Sequence, residues 1–169
     1  MNSNLGAEVN NPNPIVSVCM VTYNHDHWIG QSIEGVLKQR TNFAFELVIS
    51  DDCSTDSTPE IIKRYVGKYP TLIRPRFNEK NVGLAINFSD SLTNCRGKYI
   101  AICEGDDFWT DPFKLQKQVD FLDNNQDCII VSHNYSILNE SMNQLDQNNK
   151  FHDDFRYNQE KYLLDWVTL

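Results

Sequence analysis

Phe45-Glu46-Leu47-Val48-Ile49-Ser50-Asp51-Asp52 and Tyr99-Ile100-Ala101-Ile102-Cys103-Glu104-Gly105-Asp106-Asp107 are short apolar runs, each ending in an acidic pair. A continuous apolar run of this length, bounded by turn residues, reads as a strand buried on both faces, as in a parallel sheet. Open parallel sheets bind ligands beyond the carboxyl ends of their strands. Adjacent carboxylates repel, so holding two such pairs costs stability unless a cation or ligand hydrogen bonds offset it. The pattern predicts a site for a cation and a polar ligand.

Working outward, strand and helix signals alternate. Ile15–Thr22 reads as a strand, and Trp28, Ile29, Ile33, Val36 and Leu37 recur at helical spacing. The segment Ser54-Thr55-Asp56-Ser57-Thr58-Pro59-Glu60 is dense in helix-starting residues. Ser57 or Thr58 is the expected cap of a helix reaching about Lys68. Leu72–Phe77 is a weaker strand, and Leu84–Asn94 a helix after the turn Asn81-Val82-Gly83. Lys98–Cys103 is a fourth strand, Pro112 opens another helix, and Cys128–Val131 begins a fifth strand. Strands alternating with helices imply right-handed crossovers and an α/β fold, with a mainly parallel central sheet and helices on both faces.

Residues 1–14 are rich in Asn, Pro and small residues, which reads as a flexible lead-in. The ligand-binding domain is expected over 15–138. From Asn139 to about Gln159 the chain turns polar, and Tyr162, Leu163, Trp166 and Val167 then resemble one apolar helix face. Residues 139–169 read as a polar linker and terminal helix, expected to begin a further segment of a longer protein.

The 169 residues suffice for one domain with a real core, and 40% hydrophobic with 22% charged residues is ordinary for a globular chain. A net charge of -8 disfavours binding along a nucleic-acid backbone. It also means that a phosphorylated ligand needs a divalent cation or local basic groups. The five cysteines show no CxxC spacing, which argues against a disulfide framework or zinc site. No apolar run approaches the roughly 20 residues of a membrane helix. The expected setting is cytoplasmic, with peripheral association at the inner membrane face left open.

Four segments in order carry a specific resemblance. They are Val16-Ser17-Val18-Cys19-Met20-Val21-Thr22-Tyr23-Asn24, then Glu46 through Thr58, then Asn81-Val82-Gly83, then Glu104-Gly105-Asp106-Asp107-Phe108-Trp109. From about Ile15 to Tyr135 the chain resembles the family 2 glycosyltransferases of GT-A fold. The resemblance implies that the nucleotide half of a sugar donor lies across the strand ends. It implies also that Mg²⁺ or Mn²⁺ bridges the donor diphosphate to the acidic motif.

On that basis Thr22 and Tyr23 offer a hydroxyl and a ring to a nucleobase. Asp52 accepts from a pyrimidine imide, while Asp51 reads the same edge or holds the loop; the bland reading of both is a helix entry with spare caps. Asn81 and Gly83 shape the turn near the donor. Asp106 contacts ribose or metal, Asp107 the metal, and Glu104 joins the metal set although this family more often has Asp there. The family often carries an Arg at the position of Ile86, which leaves Arg74, Arg76 and Lys80 as alternative basic groups or plain surface charge. Trp109 reads equally as pocket border or core, and His25 and His27 as solvated loop.

The implied reaction moves a sugar from a nucleoside diphosphate donor, UDP-linked, to a saccharide or lipid-linked acceptor with inversion. A carboxylate base for the acceptor is expected downstream; Asp153, Asp154, Glu160 and Asp165 lie too early in the chain to be assigned. The alternatives are a nucleotidyltransferase, which normally shows a Gly-rich phosphate loop, and a non-catalytic nucleotide-binding module.

Overall fold

The computed structural model describes residues 13–133, 136–139 and 144–146. Its elements run β1 (Val16–Thr22), α1 (Ile29–Leu37), β2 (Phe45–Asp51), α2 (Thr58–Lys68), β3 (Ile73–Phe77), α3 (Leu84–Thr93), β4 (Tyr99–Ile102), α4 (Lys114–Asn124), β5 (Ile137–Asn139) and β6 (Gln144–Asp146). Four parallel strands form one sheet in the order β3-β2-β1-β4. The expected α/β architecture is therefore present, and strand order reverses beside β1, the topological switch where such sheets bind ligands.

All seven residues of β1 and of β2 are buried, as their unbroken apolar runs require of central strands. Alternate side chains divide between the two faces. Val18, Met20, Leu47 and Ile49 join the core with Ile33 of α1, Ile62 of α2 and Leu115 of α4. The opposite face carries α3 and mixes Cys19, Val21 and Val48 with the polar Ser17, Glu46 and Ser50. Ser50 Oγ donates to Asn87 of α3 at 2.6 Å, and Ser17 Oγ donates to Glu46 at 2.7 Å. Glu46, 2% exposed, also accepts from the Arg74 and Arg96 guanidiniums, so a buried carboxylate is matched by charge-assisted bonds. Pro75 fits β3 because, among the described residues, β3 pairs on one side only and leaves one row of backbone groups without a ladder.

Several local expectations change. The run Tyr99–Ile102 is half-exposed, because β4 is an edge with β1 as its one neighbour among the described residues. Cys128–Val131 pairs with no strand there, and Ile129 is 72% exposed, so that run gains little of the burial that would hold a strand. The helix α4 starts at Lys114, two residues after Pro112, because the Asp111 carboxylate accepts the Phe113 amide in an intervening turn. Ser57 makes no cap bond; the Asp56 carboxylate accepts the Thr58 amide at 2.9 Å and does that work. Across the boundary expected between 138 and 139, β5 and β6 form an antiparallel pair. Residues 1–12 of the 1–14 lead-in, the helix face Tyr162–Val167, and Asp153, Asp154, Glu160 and Asp165 lie outside the described residues.

Candidate functional site

Register brings the strand ends together: Thr22 stands opposite Asp51, and the chain beyond β4 stays on β1 through Cys103 N–H to Cys19 O and Gly105 N–H to Val21 O at 3.0 Å. The two acidic segments thus flank the end of β1.

Asp51 is 1% exposed and accepts both the hydroxyl and the amide of Ser54. Burial raises its carboxyl above the ordinary range, and the Ser54 bonds offset this only in part. Asp52 is 3% exposed but better supplied. Its Oδ1 accepts Asn78 Nδ2 at 2.8 Å and the Val82 amide at 2.9 Å, and its Oδ2 accepts the Gly83 amide at 2.8 Å. Burial opposes ionisation there too, but the bonds from Val82, Asn78 and Gly83 outweigh it and hold the carboxyl below the usual range. Asn81 Nδ2 closes the same loop onto the Asp52 carbonyl at 3.2 Å. The Asp51–Asp52 pair is therefore divided: one acid ties its own loop, the other latches residues 78–83.

The loops after β1 and β2 are interlocked. Asn24, in left-handed geometry at φ 56°, accepts the Thr55 amide on its side-chain oxygen, and Ser54 Oγ accepts the Asn24 amide. Asp56 accepts the Asp26 amide, and Thr58 Oγ1 accepts the His25 amide at 2.9 Å. Cys53 sits at φ 63°, a region costly for a residue with a Cβ. Gly83, at φ 86°, uses the freedom of glycine at the turn into α3. In this frame Tyr23 is 43% exposed, whereas Thr22 is 3% exposed and its Oγ1 has no hydrogen-bond partner among the described residues.

Glu104, Asp106 and Asp107 lie exposed on the loop beyond β4, around the buried Gly105. Partial desolvation, then the charges of their acidic neighbours, push the carboxyls of Glu104 and Asp107 up. Among the described residues no three His, Cys, Asp or Glu side chains converge to hold an ion by themselves. The expected three-carboxylate set is thus brought to one loop without closing a protein cage. Mg²⁺ or Mn²⁺ fits such a site, because these ions keep several waters and take one or two carboxylates plus phosphate oxygens. Charge crowding among hard oxygen ligands is the chemistry that a hard cation relieves.

Behind the motif, Trp109 is 8% exposed and packs in the core, and Gly35 of α1 packs against its backbone. Lys114 Nζ lies 4.0 Å from the centre of the Trp109 ring, and burial pulls its ammonium down to about 8. Arg74 and Arg76 pair with Glu46 and Asp90. His27 is solvated as expected; His25 is not, since its side chain is only 23% exposed and its Nε2 lies 3.8 Å from Asp106 Oδ2. Asn78 and His25 are the site residues that sequence reading misses. Asn78 is 26 positions from its partner Asp52, so no local spacing marks it.

A model of glycosyl transferase family 2 matches residues 17–167. A Mycobacterium tuberculosis (strain ATCC 25618 / H37Rv) protein of uncharacterized function is 43% identical over 125 residues, 74% of this chain and 36% of that protein. Among solved structures, S. aureus TarS 1-349 in complex with UDP has a TM-score of 0.58 at 28% identity, covering 66% of this chain and 32% of that one. The mannosyltransferase PcManGT from Pyrobaculum calidifontis, in complex with GDP-Man and Mn²⁺, has a TM-score of 0.58 at 25% identity, over 65% of this chain and 32% of that one. The chain spans about a third of the length of these relatives. With four ordered motifs, a doubly wound sheet and a match over nearly its whole length, the chain belongs to glycosyl transferase family 2 and has the GT-A fold.

Proposed function

We propose that this chain binds the nucleoside diphosphate half of a UDP-sugar. It serves in a glycosyltransferase that moves the sugar to a saccharide or lipid-linked acceptor with inversion. The observation that carries the reading is the convergence of three parallel strand ends at the topological switch, with a latched acid on one side of β1 and three exposed carboxylates on the other. The TarS complex with UDP and the PcManGT complex with GDP-Man and Mn²⁺ support the donor class and the cation.

Tyr23 offers an exposed ring to the base, with Thr22 beneath it. Asp52 has three donors for about four lone-pair positions, leaving one acceptor site on Oδ2 that suits a single pyrimidine imide N–H. Asp51 holds the loop, and Asn81 and Gly83 fix the turn that Asp52 latches. Asp106 is assigned to ribose or cation, and Asp107 and Glu104 to the cation. A bound Mg²⁺ or Mn²⁺ would neutralise charge developing on the leaving diphosphate. The base that deprotonates the acceptor is assigned to none of the described residues.

All five cysteines are free, which suits a reducing compartment. We set the protein in the cytoplasm, with a lipid-linked acceptor reached at the inner membrane face. Among the described residues no helix is long and apolar enough to cross a membrane.

Thermal melts with UDP plus Mn²⁺, UDP plus EDTA, and ADP plus Mn²⁺ test the reading. Ligand at about a hundred times its dissociation constant adds roughly 2.7 kcal/mol, or about 5–10 °C for a chain of this size. Equal shifts with EDTA and Mn²⁺ would remove the cation's role. Equal shifts with ADP and UDP would remove the base-reading role of Asp52.

A further inference from the structure

Gly105 is the joint between the acidic motif and the end of β1. Its amide donates to Val21 O at 3.0 Å, and its carbonyl accepts from the buried Ser32 Oγ of α1 at 2.9 Å. A Cβ built on it would lie 2.6 Å from Thr22 Oγ1 and 2.9 Å from His25 Nδ1, closer than real Cβ contacts come. Both of those atoms are buried and have no hydrogen-bond partner among the described residues. The missing Cβ of Gly105 is what lets Thr22 and the His25 ring close on the backbone of the acidic loop.

His25 is held for a task. Its amide donates to Thr58 Oγ1, its carbonyl accepts the Trp28 and Ile29 amides, and its ring packs edge-on against Trp28 at 6.0 Å. Its Nε2 lies 3.8 Å from Asp106 Oδ2, one step beyond a hydrogen bond. Such contacts are often long in an unliganded site and tighten when substrate binds.

We propose that His25 is a positioning residue for Asp106: its Nε2–H fixes the carboxylate in the orientation that the donor's ribose and the cation require. This rests on the donor-binding reading above. The test is calorimetry of Mn²⁺ plus UDP on wild type, His25→Gln, His25→Asn and His25→Phe, with a melt of each. Gln can return an N–H to the Nε2 position. Asn reaches only as far as Nδ1, and Phe keeps the ring packing without either nitrogen. Asn and Phe should weaken binding about 10–100-fold, the size of one charge-assisted hydrogen bond, with Gln within about threefold of wild type. The Phe variant should melt close to wild type. Equal affinity in all four proteins, or a loss in Gln as large as in Phe, overturns the assignment. A wild-type chain that binds no UDP with Mn²⁺ overturns the donor reading itself.

Discussion

Asp52→Ala separates the two jobs that one carboxylate holds. In the folded chain the group accepts two backbone amides at the entry to α3 and the Asn78 side chain. Losing a side-chain cap at a helix entry costs about 0.5–2 kcal/mol, and one ordinary hydrogen bond about 1 kcal/mol. Water recovers part of this, since residues 79–81 are exposed, so the expected loss is about 2 kcal/mol, or roughly 4–8 °C in melting temperature at this chain length. The pH dependence fixes the sign. A carboxyl held below its unfolded value stabilises fully above that value and loses its contribution as pH falls through the folded one. The gap between wild type and variant should therefore be widest near neutrality and close in acid. Donor binding should fall further than stability, and the preference for UDP over ADP should vanish. A variant that melts within 1 °C of wild type across the pH range would refute the latch, and retained UDP preference would refute the base contact.

Three more outcomes are expected. Glu46→Gln should cost about 2–3 kcal/mol by urea unfolding, less than a fully buried pair because both arginines reach solvent. It should leave Mn²⁺–UDP affinity unchanged, since the group lies at the opposite end of β2; its depressed carboxyl also predicts a difference that fades as pH falls through its folded value. Cys53→Gly should raise stability by up to about 1 kcal/mol, the relief of left-handed strain less the added freedom of the unfolded glycine, and an unchanged or lower midpoint would refute strain there. Asp107→Asn removes a carboxyl that folding pushes up, so at neutral pH the apo melting temperature should hold or rise while calorimetry shows lost Mn²⁺–UDP binding; unaltered affinity would move the cation to other residues.

Periodicity carried most of the fold because burial leaves a one-dimensional trace. The unbroken apolar runs of β1 and β2 became fully buried central strands. The turn chemistry of Pro59 and Glu60 marked α2 within a residue. The trace failed where burial was shared with neighbours. Among the described residues, Tyr99–Ile102 has the composition of a central strand yet pairs on one side, and Cys128–Val131 has the composition of a strand but no ladder.

What the sequence determined by itself is the set of local preferences and the chemistry available. It put acids at two strand ends, an αβ alternation that fixes a parallel sheet, and a family likeness from four ordered motifs. What only the tertiary structure decided is which partner each polar group takes. Asp51 and Asp52 are adjacent in the chain and identical in type, yet one turns to Ser54 with its acid raised and the other to residues 78–83 with its acid lowered. His25 faces Asp106, 81 positions further along the chain, only because β1 and β4 are neighbours in the sheet. Hydrogen bonds and charge act over a few ångströms, so they are set by the strand order that brings distant residues together, and no spacing along the chain encodes that.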